Sequence, residues 1–482
     1  MNLSFLDLLV IAAYLGIVVW LGIWSGKTQK NTRDYFLGSK IIPWWAVMIS
    51  IVATETSALT FIGIPSIAYG SDITFLQLSF GYIIARCIVS FTLLKRYYEH
   101  DVTTAYGYLT YRFSPQVKNI TSIIFLIVQA LGNGVRVYAI ALVLEVITGY
   151  SLISILIVIC GVTVIYTILG GMKAVIWTDV LQAGILITGG IASVVLLLVK
   201  LPFSFSDLVS NPIIAEKLTL FNFSTSLSTP YTFWACVLGG AFFGMASHGT
   251  DQVMVQRLLT CTSIKQSQKA LIVSGFVVAV QFFLFLFVGI LLYAFYHLLP
   301  HQGQVIPDNP DKIFPYFISK EFPIGLAGLV IAGVLSAAMS TLSGALNAFS
   351  ATTIAELYVP YMKKERSNSQ LLNLSRFATF AWGVAMVGIA YMARNWGQVL
   401  EAGLKIASFV YGGMLGVFLL GLFFPHVSSR DAIIGIAAGV LSVVLTDSYT
   451  TVAWTWFAMI GTGATISTAL VISLMFPKAI KQ

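Results

Sequence analysis

The chain has 482 residues, of which 58% are hydrophobic and 10% charged, with a formal net charge of +8. A soluble domain carries roughly 25% charged residues, so this composition excludes a water-covered globular protein and predicts an all-α polytopic membrane protein. The positive balance does not mark nucleic-acid binding, because the basic residues sit in short loops between apolar runs.

The apolar runs reach the roughly 20 residues that a helix needs to cross a hydrocarbon core. They do not alternate as the strands of an outer-membrane barrel do. In chain order they predict helices at 4–24, 43–69, 74–98, 117–148, 152–170, 174–199, 231–257, 269–298, 312–358, 373–393, 398–424, 432–447 and 452–476. The first is expected to be a retained helix rather than a signal peptide, because Asp7 is the only charge ahead of it and the basic residues follow it. The run 312–358 is too long for one crossing, which predicts a short outer helix before Pro323 and then the true span. No soluble catalytic module is expected at either end or in the outer loops near 200–230 and 298–322.

Lysine and arginine fix the expected orientation. With the N-terminus outside and the C-terminus cytoplasmic, inner loops hold 19 basic residues and outer loops 5, while Arg86, Arg136 and Lys405 fall inside helices. The expected location is the plasma membrane, or the inner membrane of a bacterium. Cys87, Cys160, Cys236 and Cys261 show no metal-ligand or disulfide spacing and read as core residues. The five histidines do not cluster, and no nucleophile–base pair appears, which argues against an enzyme.

Two spans look broken. Segment 53–70, ATETSALTFIGIPSIAYG, places a carboxylate, hydroxyls, glycines and a proline inside an apolar stretch, and 398–416, QVLEAGLKIASFVYGGMLG, carries charges and paired glycines. Breaks free backbone groups to hold a solute or ion beside a cavity. A tilted helix with a proline kink is the plainer alternative. Ionisable groups at membrane depth cost roughly 2.5–3.5 kcal/mol each and need partners or a wet cavity. The candidates are Glu55, Arg86, Arg136, Asp179 and Lys405, with Asp251 and Glu401 nearer the ends. Structural salt bridges are the alternative for each. In SAAMSTLSGALN (336–347), Ser340, Gly344 and Asn347 share a helix face with Ser343 beside Ser340, so the two serine hydroxyls and the small surfaces suit either helix contact or a hard monovalent cation.

The stretch YTILGGMKAVIWTDVLQ (166–182) resembles the signature of the sodium:solute symporter family, as do ATETSALTFIGIP (53–65), DQVMVQR (251–257), SAAMSTLSGALN and GVFLLGLFF (416–424). The resemblance spans nearly the whole chain. It implies a leucine-transporter-type fold of about 13 transmembrane helices with two inverted five-helix repeats. Those would be 43–200 and 231–424, with an extra helix and cytoplasmic loop in 1–42, an outer loop in 201–230 and two further helices in 425–482. It implies a sodium-coupled symporter that acts by alternating access, working as a monomer, with sodium, a small solute and the lipid bilayer as partners and no nucleic acid.

The same resemblance places the sodium ion on the carbonyls of Ala53, Thr56 and Ala337 and the hydroxyls of Ser340 and Thr341. Some relatives have a second sodium site that would use Asp179 and Ser343 here. Its other hydroxyl falls on Gly344, so one sodium is expected, with Asp179 structural or proton-linked. Relatives that carry hexoses place amides near Thr60 and Leu404, where this chain has none, so a neutral sugar or a vitamin is the second choice of solute. Relatives that carry sialic acid hold its carboxylate with an arginine matching Arg136. They also use hydroxyls matching Ser57 and Thr60, and other polar contacts that fall on Glu55 and Ser79. With Lys405, the expected solute is a small organic anion or a zwitterion whose amine meets Glu55. Alternatively Glu55 pairs with Arg136. A substrate-gated channel or sensor that keeps the fold is a further alternative.

Overall fold

The computed structural model describes residues 4–27, 29–56, 58–299, 306–395 and 399–476; the side chains of 58, 59, 146, 147, 395 and 399–406 lie outside the description. Among these residues every regular element is a helix, apart from one isolated bridge between Ile42 and Cys261. All thirteen predicted segments are occupied by helix. In order they are α1 (Phe5–Gly26), the bent pair α2 (Trp44–Glu55) and α3 (Ala58–Gly70), α4 (Thr74–Glu99), α5 (Pro115–Thr148) and α6 (Leu152–Lys200). Then come α7 (Gly240–Gly249), α8 (Gln252–Leu258), α9 (Ile264–Leu298), α10 (Leu326–Thr352), α11 (Asn368–Met392), α12 (Val399–Phe423), α13 (Ser429–Tyr449) and α14 (Phe457–Met475).

Among the described residues, nine helices are long and apolar enough to cross a membrane, or ten if α2 and α3 count as one bent span. Thirteen follows when α6 is split at its kink and the shorter α7/α8 and α12 are added. Gly171 makes that kink, with φ 53° and ψ −151°, a conformation that essentially only glycine adopts without strain. A Cβ there would also lie 2.5 Å from the Tyr35 carbonyl oxygen. The expected short helix before Pro323 is Ile313–Glu321, and Gly325, with φ 88°, opens α10.

Helix α10 is the central post. Every residue from Val330 to Thr352 is buried. The small side chains in SAAMSTLSGALN let neighbours approach closely, as membrane helix packing requires. Its N-terminus is held from another helix, because Asp7 of α1 accepts hydrogen bonds of 2.8 Å from both the Gly325 and Gly328 amides. A carboxylate there satisfies orphan amides and complements the helix dipole.

Two spans are broken, but only one is where the sequence reading put it. At the first, α2 ends at Glu55, Thr56 leaves helical geometry at ψ 74°, and α3 departs at 58°. The second expected break, in 398–416, is absent from the described residues 399–416, since α12 is helical from Val399 to Phe423. Its glycines are contact surface instead: a Cβ on Gly412 would lie 2.8 Å from the Gly461 Cα, and one on Gly416 2.5 Å from the Thr465 Cβ. The second break falls between α7 and α8. There Thr250 stops the helix, and Asp251, extended at φ −80° and ψ 120°, caps the next one by accepting from the Val253 amide.

Substituting Gly171→Ala is therefore expected to lower thermal stability by about 1–3 kcal/mol or to abolish folded expression. Gly161→Ala, with nothing within 4 Å of the added Cβ, is expected to leave it unchanged or raise it by about 0.5–1 kcal/mol. Detergent thermal melts of the two variants decide.

Candidate functional site

A cavity of about 200 Å³ lies between the two breaks. The first break contributes Thr54, Glu55 and Thr60, and the second contributes Ser247, His248, Asp251, Val253 and Met254. Gln129, Asn133 and Arg136 of α5, Thr341 of α10 and Tyr411 of α12 complete the polar wall. Six more aromatic side chains, Phe75, Tyr82, Tyr231, Phe243, Phe282 and Trp454, line it together with Gly63, Ile64, Ile67 and Leu78.

Its charges are settled unevenly. Glu55 does not pair with Arg136. It forms an ion pair with the fully buried Arg86, and His248 Nε2 lies 3.7 Å from the same carboxylate oxygen. Arg86 also donates to His248 Nε2 at 3.1 Å. Because a guanidinium only donates, that nitrogen is the acceptor, the imidazole is neutral, and its Nδ1 proton is left for Ser247 Oγ or the Gly244 carbonyl. Glu55 is thus already compensated, which argues against its receiving a substrate amine. Asp251 is saturated as well, accepting from Gln129 Nε2, from the Tyr411 hydroxyl at 2.8 Å and from the Val253 amide at 2.8 Å. Asn133 donates to the Gln129 carbonyl and side-chain oxygens. Arg136, by contrast, lines the cavity with no ion-pair or hydrogen-bond partner among the described residues.

A second void of about 10 Å³ lies behind the first break, room for roughly one water-sized sphere. It is lined by Ala53, Thr56, Ala337 and Ser340, four of the five expected sodium ligands, with Ser336, Gln182 and Gln281. The side-chain oxygens of Gln182 and Gln281 are buried without a hydrogen-bond partner among the described residues. Unpaired oxygens around an ion-sized void suit a hard monovalent cation. Ser340 donates to Asp179 Oδ1 at 2.6 Å, so its lone pairs remain for the void. The Thr56 hydroxyl donates to the Val52 carbonyl at 2.8 Å, which also leaves its lone pairs free. Thr341 stands at the boundary, lining the larger cavity while its hydroxyl donates to the Ala337 carbonyl at 3.0 Å.

The other expected site residues divide as follows. Asp179 lines neither space and is ion-paired with Arg257 at 3.0 Å. Ser343 donates to the Ser340 carbonyl at 3.1 Å. Ser79 is buried but absent from the cavity wall, although its neighbour Leu78 on α4 does line it. Ser57 and the side chain of Lys405 lie outside the described residues. The sequence reading missed the Glu55–Arg86–His248 cluster, the two glutamines and the second break. Only the last had a clear signal, since Gly249-Thr-Asp251 is a helix stop followed by an N-cap.

A membrane bundle with two interrupted helices around a central cavity, and an ion-sized void beside one interruption, defines the class of secondary transporters with discontinuous helices. The chain belongs to the sodium:solute symporter family, whose profile matches residues 35–439. It is 31% identical over 439 residues to the sodium-coupled monocarboxylate transporter 1 of Xenopus laevis, covering 90% of this chain and 70% of that protein. It is 27% identical over 486 residues to the sodium/sialic acid symporter SiaT of Proteus mirabilis (strain HI4320), covering 99% and 97%. The structure superposes with a TM-score of 0.89 on the substrate-bound, outward-open state of a Na+-coupled sialic acid symporter, at 26% identity over 99% of this chain and 100% of that one. The fold is accordingly of the leucine-transporter type.

Ser340→Ala removes a hydroxyl that faces the void. It is expected to keep the fold and to raise the sodium concentration for half-maximal binding by about 10–100-fold. Asp179→Ala leaves Arg257 buried and unpaired, and is expected to cost about 3–5 kcal/mol of stability. Thermal melts with and without sodium separate the two effects.

Proposed function

We propose that this protein is a sodium-coupled symporter that imports a small organic anion by alternating access. The observation that carries the reading is Arg136, a cavity cation with no hydrogen-bond or ion-pair partner among the described residues, set between helix breaks near an ion-sized void bordered by Ala53, Thr56, Ala337 and Ser340. An arginine fork matches a carboxylate in two parallel hydrogen bonds. Thr60 also lines the cavity, its hydroxyl donating to the Glu55 carbonyl at 3.3 Å.

Relatives whose names specify monocarboxylates and sialic acid support the anion class. A neutral sugar fits less well, because the two cavity amides, Gln129 and Asn133, are committed to Asp251, Tyr411 and each other. The aromatic wall favours an anion with a compact apolar or planar body. Sodium held by the Ala53 and Ala337 carbonyls with Thr56, Ser340 and Thr341 would fix the end of α2 against α10, and so fix the Glu55–Thr60 side of the solute cavity. That differential contact is what couples the two. The inverted repeats 43–200 and 231–424, each entered through one of the broken spans, and the orientation with N-terminus outside and C-terminus cytoplasmic belong to the same reading.

Reconstituted proteoliposomes test it with short monocarboxylates, sialic acid and a hexose. Anion uptake is expected only with an inward sodium gradient. Arg136→Ala is expected to raise the anion's KM about 10–100-fold, as the loss of a charge-assisted hydrogen bond predicts. Uptake indifferent to the sodium gradient across all of these solutes would sink the reading.

A further inference from the structure

Near the sodium void, a second cluster has the donor set of a cation site. Asp179 of α6 is fully buried and accepts hydrogen bonds from Ser50 of α2 and Ser340 of α10. A carboxylate among hydroxyls, drawn from three helices in a low-dielectric interior, requires a positive charge. That charge is present. Arg257, at the end of α8, donates from Nη2 to Asp179 at 3.0 Å, from Nε to Ser50 Oγ at 2.9 Å and from Nη1 to the Val253 carbonyl at 2.7 Å.

Gly344 makes the fit. A Cβ built at that position would lie 2.4 Å from Arg257 Nη2, 2.7 Å from Nη1 and 2.9 Å from Cζ. The guanidinium therefore rests against a bare Cα, in space that a serine side chain would fill. Three hydrogen bonds hold it there, so it is not a side-chain end free to swing aside. The remaining hydroxyl of the cluster, Ser343, is turned toward the Ser340 carbonyl.

We propose that Arg257 is the resident cation of this cluster, occupying the place that a second sodium ion would take beside Asp179, so that the protein carries one sodium ion per cycle. The negative charge of Asp179 is cancelled by a tethered group that cannot leave with the substrate. A second sodium would have to sit against the guanidinium with the same single carboxylate to share. The Arg257–Asp179 pair keeps one task in transport. Asp179 accepts the Ser340 hydrogen bond and so leaves that oxygen's lone pairs for the ion in the void, which makes Asp179 a positioning residue for sodium. If the solute is a monoanion, which rests on the reading above, the loaded carrier gains no net charge and transport is electroneutral.

Equilibrium binding of radioactive sodium to the purified full-length protein tests the stoichiometry without a known solute. The expected result is hyperbolic binding that saturates at one ion per chain and shifts to about 10–100-fold higher sodium in Ser340→Ala. Saturation at two ions in the wild type overturns the proposal. No binding at all removes the sodium-coupled reading together with it. Arg257→Gln, which vacates the charge beside Asp179, is expected to bind a second ion. If that variant does not fold, the wild-type count decides alone. A second readout separates the charge claim: valinomycin-set, inside-negative potential is expected to leave monocarboxylate uptake unchanged, and acceleration by that potential contradicts it.

Discussion

A helix inside a bilayer cannot be interrupted for free, because no water is present to satisfy the amides and carbonyls that the interruption releases. Both interruptions in this molecule obey that constraint, by different means. At the second, Asp251 takes the Val253 amide and is itself braced by Gln129 and Tyr411. At the first, Thr56 returns its amide and hydroxyl to the Val52 carbonyl, while the residues around it face either the large cavity or the small void. The two spaces exist because the backbone breaks there, and the breaks are tolerable because the spaces exist.

The second consequence concerns charge. Apart from Arg136, six ionisable side chains stand at membrane depth around the two spaces among the described residues: Asp251 is held by hydrogen bonds from Gln129, Tyr411 and the Val253 amide, and the other five settle among themselves. Glu55 pairs with Arg86 and contacts His248, and Asp179 pairs with Arg257. Each pairing ties together helices that the chain brings from far apart, since Arg86 is on α4, His248 on α7, Asp179 on α6 and Arg257 on α8. Arg136 stands outside this accounting. Among the described residues it lines the cavity as a cation with no hydrogen-bond or ion-pair partner, and that marks where a solute's charge belongs.

Much of this was legible in the sequence, for a physical reason. Spans of about 20 apolar residues have one solution in a bilayer, so all thirteen segments were found where the hydropathy placed them. The void residues Ala53, Thr56, Ala337 and Ser340 were legible through resemblance, and the structure brings them together. What failed was the meaning of glycine. The pair Gly412–Gly413 read as a break, yet Gly412 packs against Gly461 with no room for a side chain. Sequence alone does not say whether a glycine serves a turn or a close approach. Partner choice among buried charges was equally hidden. Glu55 was expected to meet a solute amine or Arg136, and the crossing of α4 with α7 sets Arg86 against it instead.

The central claim is that the ion in the small void and the anion in the large cavity share the first helix break. Such sharing is reciprocal by linkage: sodium must raise anion affinity by the same factor by which the anion raises sodium affinity. Calorimetric titration of a transported monocarboxylate into the purified protein at several sodium concentrations, and of sodium at several carboxylate concentrations, measures both factors. The account predicts equal factors greater than one, collapsing toward one in Ser340→Ala. Carboxylate binding of the same affinity with and without sodium would contradict it.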